Sequence, residues 1–305
     1  MSYGTYFSVA AAESTAIDTA AIAERDRRNY RAFLAARGVS DSVFAAWFAA
    51  PMLAVRDAPI SDGPFPLVLL AQGNGQSAVD QSVLGEYLAS YGYIIATTPS
   101  QARIDGRPRD EADVGHAAED QADDLALARG ALRGRPDLRA DRTAVMGHSF
   151  GARSALLLMM RDRSIGAFVS LDGGIGTATA QAPFKATRSF SPTTAGAPVL
   201  HFYEELDTLM TPDFGILSSL ASPEVWLAKA SELHHHHFSS LAAAGARFPE
   251  LGKATNATAG TAPQYAAVLH LTLAFLDATM TGDASDFHDL QKTPAPLSLE
   301  RLPKP

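Results

Sequence analysis

The chain has 305 residues, 47% of them hydrophobic, and its 33 acidic and 25 basic residues give a formal net charge of −8. This length and composition are sufficient for one large α/β domain or two small ones. The negative charge, with no basic run, argues against nucleic acid and anionic membrane surfaces as partners. The absence of cysteine excludes disulfides and thiol catalysis.

Targeting signals are not visible in the sequence. No apolar stretch approaches the ~20 residues that span a bilayer. The first twelve residues lack the charged segment and apolar core of a signal peptide. We therefore expect no transmembrane segment, and a soluble protein that is either cytoplasmic or secreted with its signal removed. The compartment and the oligomeric state stay open.

Residues 1–60 are predicted to be an N-terminal extension made of strand and helix. Its predicted elements are a strand at 3–11, a helix at Thr15–Gly38, a helix at Asp41–Ala50 and a strand at Met52–Val55. The apolar face of the first helix and the glycine that ends it support that assignment.

From residue 65 onward, strands alternate with helices. The predicted strands are Phe65–Ala71, Tyr93–Thr97, Thr143–Met146, Gly166–Leu171, Pro198–Tyr203 and Glu224–Ala230, and the predicted helices are Asp80–Tyr91, Glu119–Gly134, Phe150–Met160 and Pro263–Met280. This alternation predicts an α/β fold with a mostly parallel sheet and helices on both faces. Reactive groups in such sheets lie at the carboxyl ends of the strands.

The strongest motif is Gly147-His-Ser-Phe-Gly151, a G-x-S-x-G sequence between a predicted strand and a predicted helix. On such a sharp turn the serine adopts strained backbone angles, and the glycines allow strand and helix to approach closely. The motif predicts Ser149 as a nucleophile, with the N–H of Phe150 facing the same point.

A second glycine-rich turn, Gln72-Gly-Asn-Gly75, follows the first strand of the predicted sheet. Its glycines let the backbone bend toward a ligand. The N–H of Asn74 is therefore predicted to be the second oxyanion donor beside that of Phe150.

Two carboxylates follow neighbouring strands, and either is a candidate partner for a catalytic histidine. Asp172 comes directly after an apolar strand and is followed by two glycines, whereas Asp207 lies in an acidic loop after the next strand. A carboxylate at a strand end fixes the tautomer of the histidine. The position of Asp172 favours it over Asp207.

Four adjacent histidines, His234 to His237, follow the last predicted strand of the alternating series. The order serine, acid, histidine is the one that this kind of sheet requires, and histidine supplies a base with a pKa near 7. The residues alone leave open which histidine acts. A metal-binding tract is the other interpretation, but no spaced ligand motif accompanies it, so we predict neither a metal nor a cofactor.

These motifs resemble the α/β-hydrolases, and most closely the platelet-activating-factor acetylhydrolase and dienelactone-hydrolase-like branch. The similar stretches are 66–75, 84–93, 147–151 and 170–173, within about residues 64–280. The resemblance implies the α/β-hydrolase fold and an acid soon after the serine turn, at Asp172. The family histidine lies in an H-x-x-F pattern, which His235 keeps.

A neighbouring branch, the cutinases and polyester hydrolases, implies different partners for the serine. Its acid lies in an E-x-D-[ST] segment like residues 205–208, and an aromatic residue follows its histidine directly. Those features correspond to Asp207 as the acid and His237 as the base. His236 is a further alternative base.

The leading hypothesis is a serine esterase in which Ser149, His235 and Asp172 cleave a small-molecule carboxylic ester through an acyl-enzyme. The alternatives are a non-catalytic binding scaffold of the same fold, or lactone hydrolysis, peptide hydrolysis or acyl transfer on the same residues. We expect one domain over residues 1–305, with 173–223 as a rim or lid. Aromatic residues near it in sequence are candidates for an acyl or aryl pocket, and they are Phe184, Phe190, Phe214 and Trp226.

Overall fold

The computed structural model describes residues 1–6, 19–98, 114–292 and 296–304. In these ranges seven strands form one sheet. They are β1 (Phe65–Ala71), β2 (Ile94–Thr97), β3 (Leu138–His148), β4 (Ile165–Leu171), β5 (Val199–Tyr203), β6 (Val225–Lys229) and β7 (Ser298–Arg301). Their order is β2-β1-β3-β4-β5-β6-β7. The first six are parallel, and β7 is antiparallel to β6.

Two of the described helices precede β1, and the others lie between or after the strands. They are α1 (Thr19–Ala35), α2 (Asp41–Phe48), α3 (Ser82–Ser90), α4 (Val114–Leu132), α5 (Gly151–Arg161), α6 (Gln181–Lys185), α7 (Gly215–Ser218), α8 (Ser240–Arg247), α9 (Pro249–Ala254), α10 (Thr261–Leu276) and α11 (Ser285–Lys292). A π-helical turn, Asp277–Thr281, follows α10, and the 3₁₀ turns include Ala78–Gln81 before α3 and His235–His237 before α8.

The sheet is covered on both faces because its central strands carry apolar side chains in both directions. In β1, Leu67 and Leu69 pack into a cluster with α4 and α5. Val68 and Leu70 pack into the opposite cluster, which contains residues of α3, α10 and α11. This arrangement confirms the predicted α/β fold with helices on both faces.

The N-terminal residues form a third cluster, away from the sheet. Its aromatic centre includes Tyr3 and Trp47, whose rings stack with centroids 4.6 Å apart. The cluster continues through Val79, in the first 3₁₀ turn, and Leu241 in α8. The N-terminal helices therefore pack against the 3₁₀ turn that follows the glycine-rich turn and against α8, which follows the histidine run.

Both strands predicted in the N-terminal extension are wrong where the structure describes them. Residues 3–6 are helical, and 7–11 lie outside the described residues. At Met52–Val55 the chain has no ladder, because Glu86 accepts the N–H groups of Leu53 and Ala54 at 3.0 and 2.8 Å. A carboxylate on α3 thus takes the hydrogen bonds that a neighbouring strand would have taken.

The other predicted elements exist; β1 has the predicted ends, and the rest begin or end at other residues. The predicted helix Asp80–Tyr91 begins as the 3₁₀ turn before α3, and β3 starts five residues earlier than its predicted strand. Helices α6, α7, α8, α9 and α11 and strand β7 were not predicted. Among the described helices, none has the length and apolar character needed to cross a membrane.

Candidate active site

Ser149 lies on a sharp turn between β3 and α5. Its φ of 54° falls in the left-handed region, which is strained for a residue with a side chain. A Cβ on Gly147 would lie 2.4 Å from the carbonyl carbon of Gly151, and one on Gly151 would lie 2.2 Å from the carbonyl oxygen of Ala71. Only glycine fits at either position, so the two glycines of the motif allow the turn that leaves Ser149 half-buried.

His235 reaches Ser149 from the segment after β6, three strands along the sheet from β3. It begins the 3₁₀ turn after β6, and its Nε2 lies 2.8 Å from Ser149 Oγ. Its Nδ1 lies 2.5 Å from Asp172 Oδ2. The imidazole is therefore held between a hydroxyl and a carboxylate, as a general base requires.

Asp172 is fixed where β4 ends. Its backbone N–H donates to the carbonyl oxygen of Phe202 at 2.9 Å, and its φ of 42° turns the chain out of the strand. The N–H of Glu204 approaches its second carboxylate oxygen at 3.3 Å. The structure brings Ser149, His235 and Asp172 together from three separate strand ends.

The alternative acid, Asp207, has different contacts. Its Oδ1 lies 2.9 Å from His234 Nδ1, and its Oδ2 accepts the backbone N–H of His235 at 2.8 Å. Asp207 thus holds the main chain of His235 and the ring of the preceding histidine. It contacts the candidate base through the backbone rather than through the imidazole.

The alternative bases, His236 and His237, face other groups. His236 Nε2 lies 2.8 Å from the carbonyl oxygen of Thr255, and His237 Nδ1 accepts the N–H of His234 at 3.2 Å. Burial lowers the pKa of both, and for His237 it lowers the pKa to about 3. Their rings therefore hold the turn together.

Opposing effects act on the ionisation of His235 and its neighbours. Burial alone lowers the pKa of His235, but the hydrogen bond and charge of Asp172, helped by Glu204 and Asp207, raise it above its usual range. Burial raises the pKa of Asp172, although the hydrogen bond with His235 opposes this. His235 therefore binds a proton more readily than an isolated histidine does.

Glu204 is a buried acid that the sequence did not single out. It is fully buried at the end of β5, and its Oε2 accepts the N–H groups of Leu206 and Asp207. Its Oε1 has no hydrogen-bond partner among the described residues. Burial, assisted by the charge of Asp172, raises the pKa of Glu204 to about 7. A fully buried acid in a run of acids carries no sequence signal that separates it from exposed ones.

The glycine-rich turn lies against Ser149. A Cβ on Gly73 would come within 3.2 Å of Ser149 Cβ, so the turn places the backbone near Asn74 beside the serine. Phe150 directly precedes α5, where the N–H groups at a helix start lack helical acceptors. The two predicted oxyanion donors thus belong to segments on either side of Ser149.

Gln72, at the start of this turn, faces away from the serine. Its side-chain amide donates to the carbonyl oxygen of Thr98 at 2.5 Å, and its backbone carbonyl oxygen accepts the side-chain amide of Gln121 at 3.2 Å. Gln72 joins the end of β1 to β2 and α4. It therefore anchors the turn from below.

The four aromatic candidates for a substrate pocket lie in the core or at its edge. Phe184 is fully buried, and Phe190 and Phe214 pack against the same cluster on the α5 face. Trp226 packs edge-on to Phe287 on the other face of the sheet. Within the described ranges, no group of three or more histidine and acidic side chains is placed to hold a metal ion.

Comparisons with known proteins agree with this architecture. No protein-family model matches the sequence, and no curated protein matches it. Among solved structures, the chain is similar to a ferulic acid esterase from Streptomyces cinnamoneus, with 24% identity and a TM-score of 0.61 over 82% of this chain and 77% of that one. At this identity the similarity establishes the fold, so the chain has the α/β-hydrolase fold.

Proposed function

We propose that this protein is a serine hydrolase that cleaves carboxylic esters through an acyl-enzyme. The observation that carries the proposal is the continuous contact from Ser149 Oγ to His235 Nε2 and from His235 Nδ1 to Asp172, at 2.8 and 2.5 Å. A hydroxyl, an imidazole and a buried carboxylate in this order activate a serine for attack on a carbonyl carbon.

In the proposed reaction, His235 takes the proton of Ser149 as the serine oxygen bonds to the ester carbonyl carbon. The negative charge on the former carbonyl oxygen receives hydrogen bonds from the N–H groups of Asn74 and Phe150. When the intermediate collapses, the C–O bond to the alcohol breaks and His235 returns its proton to the alcohol. Asp172 stabilises the imidazolium without taking its proton.

The second half of the reaction releases the acid. His235 deprotonates a water molecule, whose oxygen attacks the acyl carbon, and the proton then returns to the oxygen of Ser149 as the ester bond to the enzyme breaks. The same base therefore acts twice, and the enzyme ends in its starting state. Water as the acyl acceptor makes the overall reaction hydrolysis.

The structural neighbour supports an ester as the substrate class, because that protein is an esterase for ferulic acid, an aromatic acid. The sequence resemblance to the acetylhydrolase and dienelactone-hydrolase-like branch also favours ester or lactone bonds. We propose a small-molecule ester as substrate. Comparing kcat/KM for acetyl, butyryl and feruloyl esters would identify the preferred acyl group.

The test is Ser149→Ala, assayed with p-nitrophenyl acetate. We expect kcat to fall by at least about 10⁴-fold, since loss of a serine nucleophile removes covalent catalysis. The matched control is Ser154→Ala, five residues further along, which removes a buried hydroxyl bonded to Gln121 at 2.7 Å. The control should keep its kcat. Equal activity in the two variants would end the proposal.

A further inference from the structure

His148, the residue directly before Ser149, connects two segments that are far apart in sequence. Its ring is fully buried. Its Nδ1 lies 2.7 Å from Oε1 of Gln76, just after the glycine-rich turn, and its Nε2 lies 3.1 Å from the carbonyl oxygen of His235. One imidazole therefore touches both the segment near the oxyanion donors and the turn that carries the base.

Gln76 transmits this contact to the backbone beside the serine. Its Oε1 accepts the N–H of Gly73 at 3.0 Å, and a Cβ on Gly73 would lie 2.3 Å from that same oxygen. The side chain of Gln76 thus packs directly on the glycine whose backbone borders Ser149. A change in the position of Gln76 moves the chain that precedes Asn74.

The hydrogen-bond roles within this group follow from the partners. Gln76 Oε1 acts as an acceptor because it receives the N–H of Gly73, and the carbonyl oxygen of His235 is also an acceptor. Burial lowers the pKa of His148 to about 3, so at neutral pH the ring has a single N–H to donate. The shorter contact, 2.7 Å to Gln76, assigns that proton to Nδ1.

The contact of His148 with His235 is made mainly by the ring faces. The two imidazoles stack with centroids 4.9 Å apart and planes 25° from parallel. His148 thus packs on one face of the His235 ring, and the Nε2 atom of His235 lies toward Ser149. His148 therefore acts on the base by packing and on the glycine-rich turn by a hydrogen bond.

We propose that His148 is a positioning residue that holds the glycine-rich turn and the His235 ring in register with Ser149. This inference rests on the proposed function, since it concerns the geometry of that reaction. His148 touches no reacting atom in it. Its role is to keep the two halves of the site, oxyanion donors and base, at fixed distances from one hydroxyl.

The test compares two substitutions at His148 with one at another buried histidine. His148→Leu removes both contacts, whereas His148→Asn keeps an amide donor near the position of Nδ1. The matched control is His201→Leu, because His201 is also buried, has a pKa that burial lowers to about 3, and bonds to Ser170 Oγ at 2.8 Å in neighbouring strands.

We expect His148→Leu to lower kcat by about 30-fold with KM nearly unchanged, because a misplaced oxyanion donor affects the transition state more than substrate binding. His148→Asn should recover part of that loss, and His201→Leu should keep kcat within about twofold while losing a similar amount of thermal stability. The same ranking is expected for the rate at which a fluorophosphonate labels Ser149.

Gln76→Leu provides an independent test at a partly exposed position. It should lower kcat by less than His148→Leu does, because the packing of His148 on the His235 ring remains, and the double variant should lose little more than His148→Leu alone, since the contact between His148 and Gln76 is already broken there. The inference is overturned if Gln76→Leu keeps its kcat, if His148→Leu matches His201→Leu, or if His148→Asn recovers nothing. A wild-type protein that neither hydrolyses esters nor reacts with the fluorophosphonate would overturn the proposed function as well.

Discussion

Two carboxylate–histidine pairs lie side by side at the carboxyl ends of β4 and β5, and they differ in what the histidine does next. In the first pair, Asp172 bonds to His235, whose other ring nitrogen reaches Ser149. In the second, Asp207 bonds to His234 and to the backbone N–H of His235. A carboxylate beside an imidazole therefore does not by itself define a catalytic acid. The partner of the second ring nitrogen does.

Burial also separates the two pairs. The side chain of Asp172 is 3% exposed and that of Asp207 is 34% exposed. A buried carboxylate acts on its histidine with little screening by solvent, whereas a half-exposed pair contributes much less. Asp172 therefore dominates the electrostatics of His235, and Asp207 mainly fixes where the backbone of that histidine lies.

Asp172→Asn should lower kcat more than Asp207→Asn does. An amide cannot accept the Nδ1 proton in the same way, so His235 adopts the wrong tautomer and stabilisation of the imidazolium is lost; we expect kcat to fall by about 10⁴-fold. The measurement is kcat on p-nitrophenyl acetate at pH 8, with circular dichroism to show that the variant is folded. A loss smaller than that of Asp207→Asn would reverse the assignment of the two pairs.

Asp207→Asn should lower kcat by only about tenfold, because it weakens one hydrogen bond to the backbone of the base. It should also move the acid limb of kcat/KM to lower pH. In the proposed reaction neutral His235 is the active form, and since Asp207 helps to raise the pKa of His235, we expect the wild type to lose activity at a higher pH than the variant. A pH–rate profile of the two proteins between pH 5 and 9 measures this shift. An unmoved limb would show that the charge of Asp207 does not reach the base.

Glu204→Gln should change stability more than catalysis. The pKa of Glu204 is raised to about 7 in the folded protein, so the native state binds a proton that the unfolded state has already released between about pH 4.5 and 7. Its contribution to stability is present below this window and is lost as the pH rises through it. We expect urea unfolding to show a flatter pH dependence in Glu204→Gln than in the wild type. Glu205→Gln, at an exposed neighbour, is the control and should keep the wild-type slope.

The sequence predicted the central sheet well because its signals are local. A run such as Phe65–Ala71 is apolar at successive positions, and only a strand covered on both faces buries all of them. The serine turn was equally readable, since its two glycines are required by close contacts with adjacent backbone. Both predictions depended on a few neighbouring residues.

The N-terminal elements were less predictable because their structure depends on distant partners. The N–H groups of Leu53 and Ala54 donate to the carboxylate of Glu86 on α3, and no residue near them in sequence indicates these hydrogen bonds. Strand β7 likewise forms only because β6 offers an open edge. In such segments tertiary contacts override local propensity.

The histidine run shows a similar limit inside the site. Four identical side chains in a row are indistinguishable by type, yet the 3₁₀ turn packs the rings of His234, His236 and His237 against one another and leaves the ring of His235 to face Ser149. The resemblance selected His235 by its spacing to Phe238, and the structure places that ring next to Ser149. The roles of Gln76 and Glu204 depend on burial and on contacts across the fold, so no pattern in the chain announced them.

The short turn Ala78–Gln81 has a consequence for any attempt to shorten this protein. Asp80 accepts a hydrogen bond from the phenol hydroxyl of Tyr30 in α1, and the side-chain amide of Gln81 donates to the carbonyl oxygen of Phe238 at 2.8 Å. Deleting residues 1–50 would remove the aromatic side chains that share a cluster with Val79 and Leu241. A truncated protein would therefore lose packing beside both the glycine-rich turn and the histidine run, so these helices belong to the smallest unit worth engineering.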